Sequence, residues 1–432
     1  MHTLTVKLKQ HTPLIHFQHD QEGATLRASE VKPKLDKFIL TRLGNDDYQA
    51  GIELAKSKGW LVGKGDHPAL DYKMRIETED NSQREEYLMA SYIKEDKIIE
   101  LSKSKINAIS NSPYFAQEKQ NGEIIKSKQP DKLNKWNHIE KKGIIESGYI
   151  IVKIIGADSI IFLTNNIQSF FLTTNFGTRQ SKGFGSFEAI NITLDDKNIP
   201  LKPIEELLIN TYSFVYKKSL RVSDLNVIFK TINEDYKLLK SGSTFPRYAK
   251  SKLMLYAESL NNNIGWDKKY IKVKTKGEFE SEKPERPYVL RCREENKKNS
   301  YSAKKDYKYY RALLGLAEQF EFLLENPPQG NSRNKMIVKV KNDDIQRYQS
   351  PILFKVIGKD IYLVGNEISK EMLNKSFVFL VNFQGDDCYV NEPIDEGNPI
   401  KTPESFSLKE FISFAMKDNT NNASLGYVKI KG

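Results

Sequence analysis

The sequence Phe-Gly-Thr-Arg-Gln-Ser-Lys-Gly-Phe-Gly-Ser-Phe, residues 176–187, is the most informative segment of the chain. Its three glycines have the spacing G-x5-G-x-G, and Arg179 and Lys182 lie between them. Glycine allows a positive φ and a close approach of the backbone to a ligand, and the amides of such a turn can bind phosphate oxygens. The spacing excludes a P-loop and a dinucleotide-binding loop. It favours either an ordinary turn between a helix and a strand or a backbone site for phosphate.

The hydrophobic pattern on both sides of this loop predicts a sheet backed by two helices. Alternating apolar and polar residues are typical of half-buried strands, and a spacing of three to four residues is typical of helices. The predicted order is strand, helix, strand, insertion, strand, helix, glycine loop, strand, which is the ferredoxin-like order. The elements are a strand at 3–9, a helix at 29–43 with Ser29 as its N-cap, strands at 72–78 and 149–155, a helix at 159–172 and a strand at 187–194.

Pro200 and Pro203 mark an expected boundary between a first domain, residues 1–199, and a second domain, residues 200–432. The expected fold class is α+β, with two ferredoxin-like (RRM-like) domains that carry helical and loop insertions. A charged segment at 268–298 is expected to be a mobile surface insertion. The patterns of the second half predict helices at 224–240, 247–260, 307–324 and 406–416, and strands at 336–340, 352–357, 361–364, 377–383 and 427–431.

The composition of the 432-residue chain favours an anionic partner. Lys and Arg number 67 and Asp and Glu number 56, which gives a formal net charge of +11. Such a balance raises the local concentration of anions such as nucleic acid. The two cysteines, Cys292 and Cys388, form no CxxC pair, which argues against a cysteine zinc site and a disulfide framework. No secretory signal and no run of about 20 apolar residues is present, so we expect a cytoplasmic protein without cofactor, metal or membrane contact.

Several segments resemble the RAMP superfamily of CRISPR type III effector complexes, and most of all the first RAMP subunit of the type III-B (Cmr) complex. A glycine-rich loop between the second helix and the fourth strand of a ferredoxin-like unit is characteristic of that superfamily. Four further segments match it in the expected order along the chain. They are Thr12-Pro13-Leu14, LRASEVK at 26–32, RALLGL at 311–316 and RYQSPI at 347–352.

The resemblance implies a non-catalytic subunit that contacts RNA near the 3′ end of the guide. Its partners would be CRISPR RNA, target RNA and other type III effector subunits. A helix N-terminus with nearby cations favours phosphate, and an aromatic ring such as Phe184 either stacks on a base or packs into the core. The residues expected to face RNA are Arg27, Ser29, Lys32 and Lys34 at the first helix and Gly177, Thr178, Arg179, Gln180, Ser181, Lys182, Gly183, Phe184 and Gly185 in the loop.

The histidines near the N-terminus leave two other functions open. RAMP relatives that process CRISPR RNA commonly use a histidine without metal, and histidine exchanges protons near neutral pH. A metal-independent endoribonuclease that uses His11, His16 or His19 is therefore the alternative function. His16 and His19 with Asp20 could also hold a metal, although no partner motif accompanies them. A third hypothesis is a structural subunit whose basic character reflects only the composition of its genome.

Overall fold

The computed structural model describes residues 1–16, 26–63, 68–90, 107–109, 139–243, 249–273, 304–317, 319–323, 335–345, 347–382, 400–419 and 424–431. His19, both cysteines and most of the charged segment at 268–298 lie outside these residues. The described residues form a mixed α and β fold whose sheets are predominantly antiparallel.

The described part of the first half contains one five-stranded sheet, one three-stranded sheet and one strand pair. Its elements in chain order are β1 (His2–Gln10), α1 (Ala28–Leu43), α2 (Tyr48–Ser57), β2 (Leu61–Val62), β3 (Ala69–Leu70), β4 (Tyr72–Thr78), β5 (Arg84–Ala90), β6 (Asn107–Ile109), β7 (Ile139–Glu146), β8 (Ile150–Gly156), α3 (Ser159–Thr173), β9 (Phe187–Leu194) and β10 (Lys197–Ile199).

The strand order of the first sheet is β10-β9-β1-β8-β4, and all its neighbouring strands are antiparallel. Leu4, Val6 and Leu8 of β1 are fully buried, because alternate side chains of a strand point to the same face. They share one core with Leu35 of α1 and Leu163 of α3. The helices therefore cover this face of the sheet, while Arg75 and Lys153 are exposed on the opposite face.

The second half contains two four-stranded sheets. Its elements are α4 (Ile204–Thr211), β11 (Phe214–Ser219), α5 (Leu225–Lys240), α6 (Lys252–Leu260), β12 (Ile264–Gly265), β13 (Asp306–Tyr307), a 3₁₀ helix (Tyr310–Leu314), β14 (Gln319–Leu323), β15 (Lys335–Lys341), β16 (Ile352–Ile357), β17 (Asp360–Gly365), a 3₁₀ helix (Lys370–Met372), β18 (Ser376–Asn382), β19 (Ile400–Lys401), α7 (Leu408–Lys417) and β20 (Val428–Lys431).

One of these sheets has the order β16-β17-β11-β20 with antiparallel pairs, and the other has the order β14-β15-β18-β19. Phe354 and Leu363 face a core that also holds residues of α5, α6 and α7. On the opposite face, Tyr362 and Val364 pack with Leu208 of α4 and Leu172 of α3. Both faces of this sheet are therefore covered, and the first half supplies part of the cover.

Three expectations about local structure are wrong. The amphipathic pattern at 307–324 does not form one helix, because Gly315 has a φ of 106° and the chain then enters β14. Ser29 is not the N-cap of α1; the helix begins at Ala28 after Arg27, which has an extended conformation. The helix expected at 247–260 begins at Lys252, where the Ser251 hydroxyl accepts a hydrogen bond from the Met254 amide.

Candidate nucleic-acid interface

The glycine loop, residues 177–185, is fixed by hydrogen bonds to the residues that follow β1. The Thr12 hydroxyl donates to the Gly183 carbonyl at 2.7 Å and accepts from the Ser186 amide at 2.9 Å. The Gly185 amide donates to Pro13 at 2.9 Å, and the Thr178 amide donates to Ile15 at 2.7 Å. Several loop amides are thus already used inside the protein, so the loop is not an open cradle of donors.

Strand β16 of the second half lies directly against this loop. We call the contact between residues 175–186 and residues 354–356 the seam. Lys182 and Phe354 form a parallel bridge, in which the Phe354 amide donates to the Ser181 carbonyl at 3.2 Å. The Asn175 side-chain amide donates to the Phe354 carbonyl at 3.0 Å, and the Ser186 hydroxyl donates to the Val356 carbonyl at 2.7 Å. The loop therefore continues the sheet of the second half.

Phe184 is a core residue of the seam. Its ring is fully buried and stacks on Phe229 of α5, with centroids 4.0 Å apart and planes inclined by 20°. The expectation that this ring faces an RNA base is therefore wrong for the structure described. Gly183 lies beside it with a φ of 87°, and a Cβ there would come within 3.0 Å of Ile232.

Lys182 is also buried, although it carries an amino group. Its Nζ has no hydrogen-bond partner among the described residues and lies 2.8 Å from the centroid of the Tyr236 ring. Burial and the nearby Lys240 hold the pKa of Lys182 well below its ordinary value. The side chain does not face solvent, so a contact with phosphate requires Lys182 to move away from the ring.

Lys355 of β16 is a second buried lysine, which the sequence analysis did not identify. Its Nζ donates to the carbonyls of Phe171 at 2.8 Å, Phe187 at 2.9 Å and Thr174 at 3.3 Å. Two of these carbonyls belong to the C-terminal end of α3, where unpaired carbonyl groups favour a cation. Lys355 therefore connects the second half to the end of a helix in the first half.

The start of α1 lies beside the glycine loop. Glu30 accepts a hydrogen bond from the Gly177 amide at 2.5 Å, and its carboxylate lies 3.6 Å from Lys34 Nζ. Lys34 donates to the Asn175 carbonyl at 3.4 Å, and burial lowers its pKa while Glu30 raises it. These contacts hold the start of α1 against the glycine loop, and Arg27 and Lys34 of the one and Arg179 of the other are partly exposed.

The other expected RNA-facing residues have different surroundings. Lys32 is occupied by structural contacts, since its Nζ donates to the Leu70 carbonyl at 2.8 Å and lies 3.2 Å from Asp36. Ser29 is exposed in the first turn of α1. Gln180 and Ser181 are partly exposed at the rim of the loop, whereas Gly177, Thr178, Gly183 and Gly185 are buried.

The candidate catalytic histidines are held by other groups or lie outside the described residues. The Gly358 amide donates to His11 Nδ1 at 3.1 Å, so Nε2 carries the proton and donates to Glu188 at 2.9 Å. Both nitrogens of His11 are therefore engaged. His16 is buried, and His19 is not described. In the described ranges no group of three or more His, Cys, Asp or Glu side chains is arranged to hold a metal ion.

Comparison with family models identifies the chain. The model of the Cmr1 N-terminal domain matches residues 1–243, and the model of the Cmr1 C-terminal domain matches residues 248–429. The chain belongs to the Cmr1 family. This membership confirms the resemblance to the first RAMP subunit of the type III-B Cmr complex. No curated protein matches the chain in a sequence comparison.

Solved structures of Cmr1 and of a Cmr complex are similar to the chain at low identity. The crystal structure of apo Cmr1 from Pyrococcus furiosus is 10% identical, with a TM-score of 0.35 over 100% of this chain and 99% of that one. A chain in the cryo-EM structure of type III-B Cmr-beta bound to cognate target RNA is 13% identical, with a TM-score of 0.36 over 84% of this chain and 94% of that one. Among the helices of the described ranges, none is long and apolar enough to cross a bilayer.

Proposed function

We propose that this Cmr1-family chain is a cytoplasmic, non-catalytic RNA-binding subunit of a type III-B CRISPR effector complex. It would contact guide and target RNA near the 3′ end of the guide and bind the neighbouring effector subunits. The observation that carries the proposal is the hydrogen bond from the Gly177 amide to Glu30, which brings the glycine loop and the start of α1 onto one surface. Arg27, Lys34 and Arg179 then supply cations for phosphate groups of the RNA backbone.

We further propose that each half is a ferredoxin-like unit. Numbered in chain order, β1, β4, β8 and β9 lie in the order 4-1-3-2 in the first sheet, with helices after the first and third strands. The strands β11, β16, β17 and β20 have the same order in the second half, where α5 and α7 occupy the same places. The repeated order supports two copies of one β-α-β-β-α-β arrangement.

The geometry of His11 supports a non-catalytic role for this residue. A general base needs a free nitrogen within hydrogen-bond reach of the proton that it removes, and both nitrogens of His11 have partners. The proposal therefore assigns to the chain positioning of RNA, with any cleavage left to other subunits.

The test is a titration of labelled single-stranded RNA that carries a CRISPR repeat tag, repeated at several salt concentrations. We expect Arg27→Ala/Arg179→Ala to weaken binding and to make the salt dependence shallower by about one to two phosphate contacts. The matched control is Lys73→Ala/Arg75→Ala, which removes the same charge from exposed positions of β4. Wild type without salt-dependent binding, or equal loss in both double variants, would contradict the proposal.

The same RNA, incubated in chelator, tests the non-catalytic assignment. We expect intact RNA after incubation with wild type. Cleavage that disappears in His11→Gln, which keeps an acceptor and a donor in place of the imidazole, would overturn this part of the proposal in favour of the endoribonuclease.

A further inference from the structure

The seam contains two buried lysines with opposite hydrogen-bond environments. Lys355 Nζ has three carbonyl acceptors, whereas Lys182 Nζ has none within the part of the chain that the structure describes. A buried amino group without an acceptor costs free energy, because it has lost its hydration and gained no hydrogen bond. Lys182 therefore destabilises the free protein unless another group comes to it.

A second cation lies at the same aromatic ring. Lys240, the last residue of α5, places its Nζ 5.8 Å from the centroid of the Tyr236 ring and donates to the Gly315 carbonyl at 2.5 Å. Burial and the nearby Arg311 lower the pKa of Lys240 to about 7. The Tyr236 hydroxyl donates to the Leu314 carbonyl, which fixes the ring close to both amino groups. When both amino groups are protonated they repel each other, and an anion close to both would remove that repulsion.

The position is reachable from the surface of the loop. Tyr236 and Lys240 are partly exposed, and so are Arg179 and Gln180 at the rim. The flexible four-carbon stem of Lys182 would let its amino group move from the ring towards this rim. Three segments of the chain meet here, namely the glycine loop, the turn at 314–316 and the segment before β16.

We propose that Lys182 and Lys240 form a phosphate-binding pair beside the Tyr236 ring, and that Lys182 is stored there without a partner until a phosphate group of RNA reaches it. The inference rests on the proposed RNA-binding function and adds a site to it. The anion is a backbone phosphate, because the pair adjoins the surface of Arg27, Lys34 and Arg179. The alternative is that Lys182 is a structural residue satisfied by the Tyr236 ring alone.

The test compares Lys182→Met and Lys240→Met with Lys355→Met, measuring urea denaturation and binding of the tagged RNA. Methionine keeps the length and apolar surface of the lysine stem and removes the amino group. We expect Lys182→Met to raise the urea midpoint and to weaken RNA binding, with a salt dependence shallower by about one phosphate contact. We expect Lys240→Met, at a partly exposed position, to weaken binding in the same way. Lys355→Met should lower the midpoint and leave RNA affinity unchanged.

The outcomes separate this inference from the proposed function. If Lys182→Met lowers the urea midpoint, the phosphate pair is wrong. The pair is also wrong if Lys182→Met and Lys240→Met bind RNA as wild type does. If Arg27→Ala/Arg179→Ala still binds weakly in that case, the proposed RNA-binding function stands. If none of these variants weakens binding, both the phosphate pair and the proposed RNA-binding function are wrong.

Millimolar pyrophosphate is a second probe of the pair. It should raise the urea midpoint of wild type and fail to raise that of Lys182→Met, and an equal rise in both would also contradict the pair.

Discussion

At the scale of single residues, Lys355 shows how a lysine side chain can be fully buried and still have hydrogen-bond acceptors for its amino group. Its three carbonyl acceptors come from the other half of the chain, the most distant 184 residues away in sequence. Burial lowers the pKa of Lys355 to about 7, and Glu188 opposes that change. In the unfolded chain Lys355 has the ordinary lysine pKa of about 10.4. Between about pH 7 and about pH 10.4 the folded and unfolded states therefore bind different numbers of protons at Lys355.

This difference gives the stability of wild type a pH dependence. Between about pH 7 and pH 10 the unfolded chain binds more protons at position 355 than the folded one, so the contribution of Lys355 to stability rises with pH. We expect the gap in free energy of unfolding between wild type and Lys355→Met to widen from pH 7 to pH 9.5. Urea denaturation at several pH values measures it, and a gap that narrows with pH would show that the amino group is stabilised as a cation.

At the scale of elements, the glycine loop is shaped by its contact with its own flanking residues. Gly185 has a φ of 64°, and a Cβ there would lie 2.0 Å from the Phe176 carbonyl oxygen. Gly358, in the turn between β16 and β17, has a φ of 58° and open space around the same position. The two glycines share the backbone cost of a left-handed conformation, and only Gly185 has a steric cost in addition.

We therefore expect the two alanine variants to differ in stability. Gly358→Ala should cost about 1–2 kcal/mol, the usual penalty of a left-handed alanine. Gly185→Ala should cost about 1–3 kcal/mol more, because backbone atoms have to move. Chemical denaturation of both variants gives the comparison, and equal losses would mean that the loop relaxes freely around position 185.

At the scale of the whole molecule, the two halves share a core. Ile15 and Phe184 of the first half belong to the same apolar cluster as Phe229 and Phe354 of the second. Leu172 of α3 similarly packs against the second sheet. Burial shared in this way couples the halves energetically, so each half is stabilised by the presence of the other.

Removing one seam ring should reveal this coupling. We expect wild type to unfold in one calorimetric transition and Phe184→Ala to unfold at lower temperature in two resolved steps, with a loss of about 3–5 kcal/mol. Phe406→Ala is the control, since that ring packs with Tyr256 and Phe411 away from the seam. Its loss of stability should not separate the halves. Two steps in wild type would show that the seam does not couple them.

The sequence alone determined much of the local structure. Alternation predicted β4, β9 and β16 with the bounds that the structure has, and helical spacing predicted α1, α3 and α5 to within one residue. The glycine spacing located the loop, and the family motifs identified the Cmr1 relationship. These features depend on residues that are close together in the chain, so their pattern is visible without the fold. The sequence analysis did not identify the short helix α2, whose buried residues are the small Gly51 and Ala55.

Only the tertiary structure decided which side of the loop is buried and which lysines have partners. An aromatic ring and a lysine among glycines, as at Phe184 and Lys182, are typical of an exposed RNA-binding loop. In the structure their neighbours are Phe229, Tyr236 and Phe354 from the other half. Nothing in the pattern near residue 182 indicates a strand 172 residues further along the chain. Burial depends on contacts between distant segments. Periodicity therefore placed Lys355 on a strand and Lys182 in a loop, but it could not show their hydrogen bonds. Among the described residues Lys355 Nζ has three carbonyl acceptors and Lys182 Nζ has none.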